Sequence, residues 1–228
     1  MIDDAIDAFV QIFTPPFRAT LWKSLALTIG ALVAIWFALE RFAGSFITVG
    51  APWLATILHL IVGLGLVVGL AFLIAPVTSL VAGFFLDDMA AIVERAVDPA
   101  GAPGRPAPAA AAALFALRYA GLSLVVNLIA LALLFAPVVN VVAFLGANGY
   151  LLGREYFELA AMRFRSPAEA RAMRLHYQVR IFLAGLIVAG FVAIPVLNLC
   201  TPLFATALMT RLHKRLERVD AVRRMALT

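Results

Sequence analysis

Arg180-Ile-Phe-Leu-Ala-Gly-Leu-Ile-Val-Ala-Gly-Phe-Val-Ala-Ile-Pro195-Val-Leu-Asn198-Leu-Cys-Thr-Pro-Leu-Phe-Ala-Thr-Ala-Leu-Met-Thr-Arg211 decides the fold. The 30 residues between the two arginines carry no charge. A membrane-crossing helix needs about 20 such residues, and core helices of soluble proteins are usually shorter. Near the middle, Pro195 removes a backbone donor and breaks the helix before it. Asn198 follows as a side chain able to satisfy freed backbone groups in the next turn.

The pattern recurs. Ala136-Pro-Val-Val-Asn140 sits centrally in the 35 uncharged residues between Arg118 and Arg154. Ala75-Pro-Val-Thr-Ser79 is a weaker copy inside the 45 between Arg41 and Asp87. Two readings of such a run compete. As a single kinked span, 35 residues would extend about 52 Å and overshoot a bilayer. As a hairpin, arms of 15–19 residues reach about 22–28 Å and return to the side they entered. Irregular backbone at that depth needs protein or a wet cavity around it.

Charge favours the hairpins. Segment 154–180 holds six Arg against three Glu, and segment 211–228 six Lys or Arg against two acids. Hairpins put both on one face, and an excess of Lys and Arg marks the cytoplasmic face. Composition agrees: 64% of the 228 residues are hydrophobic and 14% charged, with a mean hydropathy of +1.01. Those values exclude a soluble domain, a disordered chain and a disulfide scaffold. The one cysteine, Cys200, reads as a small buried hydrophobe.

The expected fold is an all-α integral membrane protein. It has two long transmembrane helices, over 16–39 and 52–75, and two re-entrant, partly penetrating helical hairpins, over 114–160 and 178–212. Pro137, Asn140, Pro195 and Asn198 form the hairpin turns. An amphipathic helix over 1–13 lies in the interface. Its acidic start is unlike a signal peptide. Segment 98–108, rich in Pro, Gly and Ala, reads as a flexible linker. Gly63-Leu-Gly-Leu-Val-Val-Gly69 lies inside an apolar span and reads as a packing face for another helix. Both termini are placed in the cytoplasm, with the chain in a bacterial inner membrane.

No catalytic triad, zinc spacing or phosphate loop is present, so no enzyme activity, metal or cofactor is expected. Thr14-Pro-Pro-Phe-Arg18 is the best ligand candidate. Helix starts attract anions through unpaired N–H groups and the helix dipole. Arg18, with Lys23 near, would complete an oxyanion site; a snorkelling interfacial arginine is the plainer reading. Arg154 and Glu158, four residues apart, read as a charge pair and a weaker pathway candidate. Arg163, Arg165, Arg171 and Arg174, interleaved with Met162, Phe164 and Met173, read as a basic helix on anionic lipid rather than a nucleic-acid site.

With these motifs in place, the chain resembles the CysZ-type sulfate permeases and the wider etoposide-induced-protein superfamily. The pieces that carry the resemblance are Thr14-Pro-Pro-Phe-Arg18, Ile74-Ala-Pro-Val77, Ala136-Pro-Val-Val-Asn140, Asn148-Gly-Tyr-Leu-Leu-Gly-Arg-Glu-Tyr156 and Ile194-Pro-Val-Leu-Asn-Leu199. The resemblance implies sulfate uptake for sulfur assimilation through a channel-like route without ATP hydrolysis. It also implies two long helices, two hairpins, and a homodimer or higher oligomer among phospholipids. The family's sulfate-binding Gly-Leu-Arg turn falls on Pro16, Phe17 and Arg18, with the glycine replaced by proline.

Overall fold

The computed structural model describes residues 1–46, 53–65, 67, 85–106, 114, 117, 121, 125, 137–198 and 200–226, excluding the side chains of 43–46, 137–142, 195 and 196. Regular structure among them is helical throughout. The helices are α1 (Ile2–Ile12), α2 (Pro15–Phe46), α3 (Trp53–Gly65), α4 (Leu86–Val97), α5 (Pro137–Met162), α6 (Pro167–His176), α7 (Gln178–Val192), α8 (Pro195–Asn198) and α9 (Thr201–Met225). They fall into two compact units: Met1–Ala19 with Gly83–Thr228, and Thr20–Ala82.

Helix α2, which lies in the second unit from Thr20 onward, is the one helix among the described residues long and apolar enough by itself to cross a bilayer. Its apolar span covers the 28 residues Pro15–Phe42, and only 6% of the most apolar stretch is buried. A core helix of a soluble protein would be mostly covered. Trp22, Ile29, Val33, Phe37 and Phe42 are exposed. The helix outruns the expected 16–39 at both ends. Proline is accepted in a first turn, where no intrahelical donor is needed, and nothing in Glu40-Arg-Phe-Ala stops a helix. The expected 52–75 helix is described as α3 and at Val67; the remainder lies outside the described residues. A methyl added at Gly63 or Gly65 meets no described atom within 4 Å, so the packing face expected there has no described partner.

In the first unit, α7, α8 and α9 form a helical hairpin. At its tip Phe191 stacks on Phe204, centroids 4.3 Å apart. At its base Tyr177 donates a hydrogen bond to Asp220. Ring pairing at one end and hydroxyl–carboxylate pairing at the other fix α7 and α9 as antiparallel. The turn is the one expected at Pro195 and Asn198. The chain leaves α7 at Ala193, makes the four-residue α8, and restarts at Thr201. The Asn198 N–H donates to the Ile194 carbonyl at 2.8 Å, and the Thr201 hydroxyl donates to Asn198 Oδ1 at 3.4 Å. The second arm continues well past the expected end at 212. Pro137 opens α5, as a proline at a helix start should. The Asn140 side chain and the arm before α5 lie outside the described residues, apart from helical positions 114, 117, 121 and 125.

Glycine sets the closest approach. A Cβ on Gly185 of α7 would lie 1.9 Å from the Gly149 carbonyl oxygen of α5, and one on Gly153 would lie 2.7 Å from that of Ile181. Gly149 meets 185 and 186 while Gly153 meets 181, so α5 and α7 are antiparallel. Such backbone contact is what small residues permit between apolar helices. Helices α6 and α7 meet at a 91° bend, and the start of α6 is held by a capping box in which Ser166 and Glu169 bond reciprocally. Gly185→Ala should therefore lower unfolding stability by about 1–3 kcal/mol, the usual cost of overpacking. Gly146→Ala, where an added methyl meets no described atom within 4 Å, should not lower it and can raise it by up to about 1 kcal/mol through helix propensity. Thermal unfolding in detergent compares the two.

Candidate functional site

At the base of the hairpin, α9 gathers the charged ends of the first unit. Asp7 and Gln11 of α1 bind Arg211 at 3.2 and 2.8 Å, and Asp4 binds Arg215 at 2.6 Å. Burial tends to raise the Asp4 pKa, but the Arg215 hydrogen bond and charge, with the N-terminal ammonium, hold it below its ordinary value. The opposite face of α1, with Ile2, Ile6, Val10 and Phe13, is exposed. Lys214 bridges Asp98 and Glu217 at 3.5 Å each and lies 3.9 Å from the Phe164 ring centroid. Arg218 donates to the Val97 carbonyl at 2.7 Å.

Arg163, which follows α5, is the centre of the base. It is buried, and its Nε donates to the equally buried Glu94 of α4 at 2.5 Å. It also binds Asp87. Burial alone would depress its pKa, yet the two carboxylates hold the guanidinium above its ordinary value. Residues 98–106, part of the stretch read as a flexible linker, have no regular structure but are tied down here. The Arg105 N–H donates to the Arg163 carbonyl at 2.8 Å, and the Gly104 N–H to Glu94 at 3.1 Å. Positions 107 and 108 lie outside the described residues.

The basic stretch 163–174 is thus not a free cationic face. Arg163 and Arg174 are buried in ion pairs, Arg165 reaches Glu217 at 3.3 Å, and Arg171 is exposed. Glu158 has a closer partner than Arg154: the Nε of Arg174 lies 2.5 Å away, that of Arg154 3.7 Å. The pair read from spacing is the looser half of a triad that locks α6 onto α5.

The expected oxyanion site falls at the junction of α1 and α2. Thr14 precedes α2, and its carbonyl accepts the first helical bond from the Arg18 N–H at 3.0 Å. Its hydroxyl donates backward to the Gln11 carbonyl at 2.7 Å. Pro15 and Pro16 have no N–H, so the first turn keeps one free-donor position, Phe17, whose ring is buried. Arg18 and Lys23 are exposed. Five residues turn a helix by about 140°, so the two side chains leave α2 in different directions. Arg18 remains as a solvent-facing cation at the foot of the apolar helix.

Two sets of hydroxyls were not singled out by sequence, though helical spacing marks both. On α2, Thr20, Ser24 and Thr28 are buried at four-residue intervals. On α9, Thr206, Thr210 and His213 are buried on one face, and neither hydroxyl nor either ring nitrogen has a hydrogen-bond partner among the described residues. His213 stacks on Phe164 and meets Phe157 edge-on. Burial, then the charges of Arg165 and Lys214, push its pKa down to about 3, so the ring is neutral at physiological pH. No cluster of three or more metal-ligating side chains occurs among the described residues.

An exposed apolar helix of spanning length and a helical hairpin fit a membrane protein. The chain belongs to the sulfate transporter CysZ/etoposide-induced protein 2.4 family, which it matches over residues 4–202. No curated protein matches it.

Removing one partner of a buried pair costs about 3–5 kcal/mol, and Asp87, which still binds Arg163, offsets part of it here. Glu94→Leu alone should therefore strongly lower the unfolding temperature. Adding Arg163→Met should recover most of the loss, as read by thermal unfolding of both purified variants.

Proposed function

We propose that the protein is a channel-like oxyanion permease of the bacterial inner membrane, with sulfate as its substrate and no ATP hydrolysis. The family match over residues 4–202 carries this reading. In it, α2 and the helix that includes α3 cross the bilayer, while two hairpins enter and return on the cytoplasmic side, where both termini lie. The α7–α9 hairpin supports this: α7 has 15 residues, about 22 Å, too short to cross a core of about 30 Å. The ionic base at Tyr177 and Asp220 then belongs at the aqueous face.

Arg18 recruits the anion at the foot of α2. With the first-turn donors mostly removed by proline, binding there rests on the guanidinium rather than on the helix start, and Lys23 adds local positive potential. Arg154, half-exposed beside Glu158, offers a second cation along the route. A protomer this small needs a homo-oligomer to enclose a pore. One observation favours a second reading, a lipid-binding protein that moves nothing: the acidic face of α1 is pinned to α9 while its apolar face stays uncovered, as membrane docking alone would require.

Radiolabelled sulfate uptake into proteoliposomes separates them. Saturable uptake, resistant to chloride and reduced about tenfold or more by Arg18→Ala, is the expected result; a lost charge-assisted hydrogen bond is worth about 1.5–3 kcal/mol. Absence of uptake by folded, oriented protein would favour the lipid-binding reading. Full uptake by Arg18→Ala would remove Arg18 from the site.

A further inference from the structure

Buried polar groups almost always find partners, and an orphan in a native structure calls for a water, an ion or a role. Thr206, Thr210 and His213 are three such residues on one helix face, each at least nine-tenths buried. At 100° per residue they share an arc of about 60° with Glu217. That face is directed by two observed contacts: His213 against Phe157 and Phe164, and Glu217 against Arg165. The four positions cover about 16 Å of α9, from near the hairpin tip to the charged base.

We propose that this face of α9 is an internal binding track for a small tetrahedral oxyanion, closed at the base by the contacts of Glu217 with Arg165 and Lys214. The proposal rests on the oxyanion reading above and assigns that function a second site, separate from Arg18. Two hydroxyls and a neutral imidazole supply N–H and O–H donors without a fixed counter-charge. Neutral donors suit passage, because conduction needs binding weak enough to release. Positive potential comes from Arg165, whose Nε is buried without a partner among the described residues, and from Lys214. Both are held by Glu217, at 3.3 and 3.5 Å. While those pairs stand, a carboxylate faces the mouth of the track and repels an anion; separating them releases Arg165, while Lys214 keeps its contact with Asp98.

The test uses the full chain in lipid nanodiscs with ¹⁵N-labelled histidine and sulfate as the probe, the His213 resonance being assigned by His213→Gln. Sulfate should shift that resonance saturably. Thr210→Val, close in shape to the native residue, should weaken the response by roughly tenfold or more, the loss expected for one hydrogen bond to a charged ligand. His213→Gln, which keeps a donor, should retain more sulfate flux than His213→Phe. An unmoved His213 resonance overturns the proposal. So does an unchanged sulfate response in Thr210→Val, especially with a raised unfolding temperature, which identifies the hydroxyl as a buried orphan only. Parallel flux measurements keep the two readings apart. Flux without a His213 response overturns the track and keeps the permease; a saturable response without flux keeps the track as a binding site and overturns the permease.

Discussion

A guanidinium taken out of water must be met by carboxylates, and Arg163 imposes that requirement on the base of the molecule. Its partners, Glu94 and Asp87, come from α4. Its carbonyl and side chain hold the 98–106 segment, and it directly follows α5. A buried pair of this kind adds little net stability over apolar packing, but breaking it is costly. What it supplies here is position: the end of α5 is held where Phe164 can stack on His213 and Arg165 can reach Glu217 of α9.

Above that base the chain is apolar, and close contact replaces charge. Gly149, Gly153 and Gly185 let α5 and α7 touch backbone to backbone. The hairpin thus has two ends of different chemistry. Its base is a set of ion pairs involving α1, α4, α6 and the turn after α5. Its tip is a stacked pair of phenylalanines beside a proline turn. In the oxyanion-permease reading this polarity matters, because an anion must leave a charged, hydrated face and find neutral donors further in.

The uncharged runs, the prolines at their centres and the basic flanks made the hairpin legible from sequence, and Pro195 and Asn198 fall where the turn is. The charge partnerships were not legible. Arg163 pairs with acids 69 and 76 residues away, and no local spacing identifies such partners. The i, i+4 rule found Arg154 with Glu158 but could not see that Arg174, brought round by the turn at Ser166, comes closer. Thr206, Thr210 and His213 were visible as a helical stripe, yet a stripe does not say whether it faces lipid, protein or water. At Thr14-Pro-Pro-Phe-Arg18, the helix start and its arginine suggested an anion site from sequence, and the missing proline N–H groups follow from covalent chemistry alone.

The central claim is that both hairpins return to the face they enter. It is tested most directly by impermeant maleimide labelling of single cysteines in a Cys200→Ala background, placed at exposed Ala172 in α6 and Ala226 beyond α9. The account predicts that neither site labels in intact spheroplasts and that both label after the inner membrane is opened. Labelling of Ala172→Cys from the outside, with Ala226→Cys still protected, would put the two bases on opposite faces and contradict it.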